Sequence, residues 1–112
     1  MKIPNIDQAR VSEAKIKEYL LSETHPDGRE KAAFFTRFGF SVAQWEQLAQ
    51  ALLNHAATYE VMQTTSTRHG TKYVIEGRLF TPNGRNPLVR TVWIIEAGTV
   101  GARLVTAYPV KR

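Results

Sequence analysis

The stretch Lys72-Tyr-Val-Ile-Glu-Gly-Arg-Leu-Phe80, Leu88-Val-Arg-Thr-Val-Trp-Ile-Ile95 and Arg103-Leu-Val-Thr-Ala-Tyr-Pro109 decides the fold. β-branched and aromatic residues dominate all three runs, which read as consecutive antiparallel strands. Between the first two lies Pro82-Asn83-Gly84-Arg85. Asn-Gly suits a two-residue type I′ turn, whose central residues both need positive φ. That turn sets Leu79 opposite Leu88, Ile75 opposite Val92 and Tyr73 opposite Ile94, all on the core face. The other face then carries Lys72, Val74, Glu76 and Arg78, with Val89, Thr91 and Trp93 beside them. In the third strand Val105 and Ala107 fit the core face, while Leu104, Thr106 and Tyr108 fall on the open one.

Working outward, residues 1–11 read as an extended entry segment, because Pro4 opposes helix. Ser12 caps a first helix over about 13–21, with Ile16, Tyr19 and Leu20 as its apolar stripe. Thr24-His25-Pro26-Asp27-Gly28 breaks it. A second helix over about 29–38 buries Ala32, Phe35 and Phe38 and ends at Gly39. Ser41-Val-Ala-Gln44 has the form of a capping box, and a third helix over about 42–56 buries Trp45, Leu48 and Leu52. Thr58–Thr67 alternates enough for a further strand, although Thr64-Thr65-Ser66-Thr67 suits an exposed edge or loop. Helices first and an antiparallel sheet afterwards is the α+β pattern, with the N-terminal helices packed on one face of the C-terminal sheet.

The 112 residues suit one domain, 1–112, able to bury roughly 65% of its unfolded surface. The absence of cysteine excludes disulfides and thiolate metal sites. No apolar run approaches a membrane span, so no membrane partner is expected. The net charge of +5 is unevenly placed. Residues 1–66 hold seven Lys/Arg and eight Asp/Glu, a net of −1, while residues 67–112 hold eight and two, a net of +6. A basic sheet suits a polyanionic partner such as RNA.

No G-x-G-x-x-G, G-x-S-x-G or H-E-x-x-H occurs, and no two histidines have metal-ligand spacing. No cofactor and no metal are expected. His55, late in a helix, suits a structural role. His25, in a Pro-Gly turn, and His69, just before the first main strand, are the candidates for chemistry. Metal-free RNA cleavage needs a base, an acid, and cations or hydroxyls around the phosphorane. His25 or His69, with Lys72, Glu76, Arg78, Thr91, Thr106 and Tyr108, supply those residue types, and Trp93 suits base stacking. Ordinary β-formers and a Lys72–Glu76 surface pair account for the same sheet residues without chemistry.

Two motifs carry a resemblance. One is Tyr19-Leu20-Leu21-x-x-Thr-His25-Pro26-x-Gly28-Arg29-x-Lys31-Ala32-x-Phe34-Phe35 with Gly39 following. The other joins Gly70-x-Lys72-Tyr73, Gly77-x-Leu79, Pro82-Asn83-Gly84, Thr91-Val92-Trp93 and Arg103-Leu-Val-Thr-Ala-Tyr-Pro109. Together they resemble a family of small bacterial domains of unknown function, found alone and at the ends of large secreted toxin-like proteins. More remotely, the closing Thr-Ala-Tyr-Pro strand after helices offering His and Lys is similar to the barnase, colicin and RelE ribonuclease toxins and to ribonuclease A-like contact-dependent toxins. That resemblance implies a barnase/RelE-like fold and a metal-independent endoribonuclease. His25 would be its general acid/base, Lys31 or Lys72 its phosphate contact, and Thr106 and Tyr108 its phosphate-positioning groups. It implies RNA as substrate, a cognate antitoxin or immunity protein as partner, and a cytoplasmic site of action, in the cell or in a target cell. The rival expectation is a non-catalytic nucleic-acid- or protein-binding module using the basic sheet face. A third, an immunity protein, fits the basic charge less well, since an inhibitor of a basic nuclease is expected to be acidic on its contact face.

Overall fold

The computed structural model describes residues 1–110. A short α-helical turn, Glu13–Lys15, continues as a π-helical stretch, Ile16–Leu20, and the two together are α1. Ser12 accepts the Lys15 amide at 3.1 Å, the expected cap. Helices α2 (Arg29–Arg37) and α3 (Trp45–Thr58) follow, and then strands β1 (Val61–Thr67), β2 (Gly70–Arg78), β3 (Leu88–Glu96) and β4 (Arg103–Pro109). The strands pair in chain order as an antiparallel meander. The fold is α+β, with helices packed on one face of a four-stranded sheet.

Helix α2 ends in a Schellman motif: Phe40 N–H bonds to Phe35 C=O, Gly39 N–H bonds to Thr36 C=O, and Gly39 takes φ 101°. The Phe35 and Phe40 rings meet across it, their centroids 6.2 Å apart. Helix α3 starts three residues later than the capping-box pattern predicts. Ser41 Oγ does accept the Gln44 amide, but residues 42–44 form a turn rather than helix.

The expected face of β2 is correct, with Tyr73, Ile75 and Leu79 buried. The register against β3 is one residue off. Ile75 pairs with Thr91, Tyr73 with Trp93, and Gly77 with Val89. A one-residue slip turns every β3 side chain over. Val89, Thr91 and Trp93 therefore face the helices, and Leu88, Arg90, Val92 and Ile94 face away. The cause is the turn. Of Asn83 and Gly84 only the glycine has positive φ, so no type I′ turn forms. Thr81–Gly84 is instead a β-turn closed by the Gly84 N–H to Thr81 C=O bond, with Pro82 at its second position. Asn83 docks this loop on the end of α2, its backbone N–H bonding to Phe38 C=O and its side chain to Arg37 C=O.

A bulge in β4 corrects the remaining expectation. Trp93 pairs with Leu104 while Val92 pairs with Thr106. Leu104 and Ala107 thus both point into the core, and Val105 is only half-buried. The core lies between helices and sheet and is filled by Ile16, Leu20, Phe35, Leu48, Leu52, Ile75, Leu79, Val89 and Trp93.

Inside that core His55 ties α3 to the sheet. Its Nε2 lies 3.1 Å from Gly77 O and 2.9 Å from Val89 O, so this nitrogen carries the proton. Its Nδ1 accepts from Thr91 Oγ1 at 3.3 Å, and Thr91 Oγ1 accepts from Trp93 Nε1 at 2.9 Å. Burial pushes the His55 pKa down from 6.5, against the opposing pull of the two carbonyls. Gly77 leaves room for a neighbour of this network. A Cβ there would lie 2.3 Å from the Tyr59 ring, which packs on His55 and donates its hydroxyl to Arg78 C=O.

Candidate functional site

Three separate segments converge on the ring of Tyr19. The His25 ring meets it edge-on at 5.1 Å, and the ammonium groups of Lys15 and Lys31 stand 4.9 and 5.3 Å from its centroid. Its hydroxyl shares a 3.0 Å hydrogen bond with Thr106 Oγ1 on β4. Helical spacing explains the Lys15–Tyr19 contact, since residues four apart share a face. The β4 bulge leaves Val105 and Thr106 together between the core-facing Leu104 and Ala107.

The turn holding His25 is tightly built. Its backbone N–H bonds to Ser22 Oγ, and its Nδ1 accepts the Asp27 amide at 3.0 Å. With Nδ1 occupied as an acceptor, the ring proton sits on Nε2. Gly28 closes the turn against α1, for a Cβ at that position would lie 2.2 Å from Tyr19 O. Lys31 Nζ is steadied by Asp27 C=O at 3.1 Å. Among the described residues neither Lys15 nor Lys31 has a carboxylate within ion-pair distance. Two ammonium groups, an imidazole N–H and two hydroxyls thus gather without a counter-charge, a donor set suited to an anion.

A second cluster lies two residues along β4. Arg90 bonds to Glu76 Oε1 at 2.7 Å. The Glu76 carboxylate first, and the Tyr108 hydroxyl next, push the Arg90 pKa further up. Arg90 Nε is buried without a partner among the described residues. At the opposite end of this face Arg103 bonds to Glu96 at 2.7 Å and holds its carboxyl below the usual range.

Of the residues singled out in the sequence, His25, Lys31 and Thr106 are brought around one ring, and Glu76 and Tyr108 meet through Arg90. Lys72 and Arg78 are exposed on the open sheet face. His69 sits in the β1–β2 turn beside Gly70, which pairs with Glu96. Thr106 pairs with Val92, four residues along β3, so His69 stands roughly 13 Å along the sheet from it. Thr91 and Trp93 are corrections: both are 0% exposed, so neither lines the open face nor reaches a ligand there. The slipped register put them on the wrong side. Tyr19, Lys15 and Arg90 were not foreseen. In sequence Tyr19 reads only as part of the apolar stripe of α1, and Arg90 falls on the open face only in the observed β2–β3 register.

Among the described residues no three His, Asp or Glu side chains are grouped as a metal site, and no helix is long and apolar enough to cross a membrane. The architecture is that of a small α+β domain whose helices cover one face of the sheet and leave the other open. The chain belongs to the family described as a domain of unknown function (DUF6883), whose model matches residues 2–111. No curated protein matches the sequence. In fold the chain is similar to one in a solved contact-dependent growth inhibition toxin–immunity protein complex from Klebsiella pneumoniae 342. The likeness covers 96% of this chain and 97% of that one, with a TM-score of 0.72 and 14% identity.

Proposed function

We propose that this protein is a toxin-type, metal-independent endoribonuclease with its site around Tyr19. The observation that carries the reading is the convergence of His25, Lys15, Lys31 and Thr106 on that one ring. In the proposed reaction the 2′-oxygen of RNA attacks phosphorus and loses its proton to water. The P–O5′ bond breaks, and the 5′-oxygen takes a proton from Nε2 of the His25 imidazolium, which forms when Nδ1 takes a proton from solvent and gives up the Asp27 amide. The lysine ammonium groups and the Tyr19 and Thr106 hydroxyls hold the charge building on the phosphorane oxygens. Tyr108, two residues from Thr106, offers a further hydroxyl. Likeness in fold to a chain of a toxin–immunity complex supports the toxin setting, with an immunity protein as partner. The net charge of +5 favours the nuclease side of such a pair over the inhibitor side.

The test is incubation of purified protein with total RNA in EDTA, followed by analysis of the product ends. Fragments ending in 2′,3′-cyclic phosphate are expected. Intact RNA at high protein concentration refutes the reading.

One observation favours a second reading, a protein-binding module. Val74 and Val92, both half-buried, pair on the open face between the Arg90–Glu76 and Arg103–Glu96 pairs. An apolar centre with a charged rim is the anatomy of an interface. Capture of a specific protein partner by a chain without nuclease activity would favour this reading.

A further inference from the structure

A second concave site lies at the far end of α2 from His25. Phe40, Pro82 and Phe80 form the apolar part of a cleft of about 350 Å³, and the side-chain amides of Gln47, Gln50 and Asn54 rim it. Among the described residues no charged side chain lines it. Phe80 is 63% exposed although it is a large apolar ring, so it presents a face rather than filling core.

The rim is specific in its hydrogen bonding. Gln50 Nε2 donates to Asn54 Oδ1 at 2.9 Å. Gln50 Oε1 and Asn54 Nδ2 then remain, one acceptor and one donor, with residues four apart on the same face of α3. Exchanging both amide orientations again leaves one donor and one acceptor. Such a pair complements the edge of a nucleobase, as glutamine and asparagine do for adenine. An exposed phenylalanine supplies the stacking surface that unpaired bases take.

The two sites lie at opposite ends of α2. Helix α2 begins with Arg29, four residues after His25, and ends with Arg37, whose carbonyl is bonded by Asn83 of the Phe80–Pro82 loop. Along one side of α2 lies a groove of about 400 Å³ lined by Arg29, Ala33, Thr36 and Arg37, with Glu23 at its edge, while Lys31 leaves the helix on its other flank toward Tyr19. Two guanidinium groups along one helix suit a phosphodiester backbone.

We infer that the Phe40–Phe80 cleft is a nucleobase subsite for single-stranded RNA, whose backbone follows α2 from the Tyr19–His25 cluster. The inference rests on the ribonuclease reading only for the position of the scissile phosphate. Its test therefore uses a probe that cannot be cleaved, a short 2′-O-methyl oligoadenylate, titrated into the full-length protein and followed by NMR. The side-chain amide signals of Gln50 and Asn54 and the backbone signals of Phe80 and Thr81 are expected to shift. Phe80→Ala, at an exposed position, should weaken binding about 10-fold and keep the dispersed spectrum of the fold. Arg37→Ala should weaken it and flatten the salt dependence. Movement confined to Lys31 and His25 overturns the subsite and leaves the ribonuclease reading standing. Shifts at the cleft by a protein that leaves ordinary RNA intact uphold the subsite and sink the catalysis. Shifts at the cleft with an apolar hexapeptide and none with the oligonucleotide overturn the inference in favour of protein docking.

Discussion

Replacing His55 by alanine should produce a stability loss that depends on pH in a defined direction. The ring is 2% exposed and joins α3 to β2 and β3 through Gly77 O, Val89 O and Thr91 Oγ1. Each buried polar group left without a partner costs about 1–3 kcal/mol, and the vacated volume adds a cavity cost. A total of about 3–5 kcal/mol is expected near pH 7.5, a large share of the 5–15 kcal/mol typical of a folded domain. The folded-state pKa of His55 lies below its value of 6.5 in a free chain. Below pH 6.5 the unfolded chain therefore binds more protons at this position than the folded one, and this contribution to stability falls as pH falls. It is fully present above 6.5 and is lost as pH drops toward the folded-state pKa. The alanine variant lacks the term, so the gap between the two proteins should narrow on acidification below pH 6.5. Urea denaturation followed by tryptophan fluorescence measures it, with Trp93 reporting from the same hydrogen-bond chain. A gap under about 1 kcal/mol at neutral pH, or one that widens in acid, would refute the argument.

Gly77→Ala should destabilise by about 1–3 kcal/mol, because its Cβ would lie 2.3 Å from the Tyr59 ring; thermal melting checks this. His25→Ala should lower RNA cleavage by about 10²–10⁴-fold and leave the melting temperature near that of the parent, and full activity in the variant would remove His25 from the mechanism. Tyr19→Phe deletes the hydroxyl on Thr106 while keeping the ring, so a loss of about 10–10³-fold is expected, read in the same assay. Affinity for single-stranded RNA should fall with salt at a log–log slope of about −0.7 per phosphate neutralised, and a flat response would count against RNA as ligand.

The order of elements was legible in the chain, because each signal is local. Ser12 caps α1, Pro26 and Gly28 break the chain before α2, Gly39 ends α2, and period-two alternation marks β2. The face of β2 was legible for the same reason, since Tyr73, Ile75 and Leu79 alternate with charged neighbours. The face of β3 was not. Val89, Thr91 and Trp93 are no more apolar than Leu88, Val92 and Ile94, so composition left either face open, and the choice fell to the turn. Asn83-Gly84 argued for a tight hairpin, but the loop is longer and is held by two hydrogen bonds to the end of α2. A contact between residues 37–38 and 83 has no trace in local sequence.

The site divides the same way. His25, Lys31, Thr106 and Tyr108 were recognisable as residue types with the right chemistry, and the positive charge of the C-terminal half was countable. That His25, Lys15 and Lys31 gather on Tyr19 while its hydroxyl meets Thr106 depends on the close approach at Gly28 and on the β4 bulge. Both are settled by how α1, α2 and the sheet pack. Local propensity determines which segments are helix or strand. Which side chains meet across segments far apart in the chain is decided by packing and loop docking, whose free energy exists only once the tertiary structure has formed.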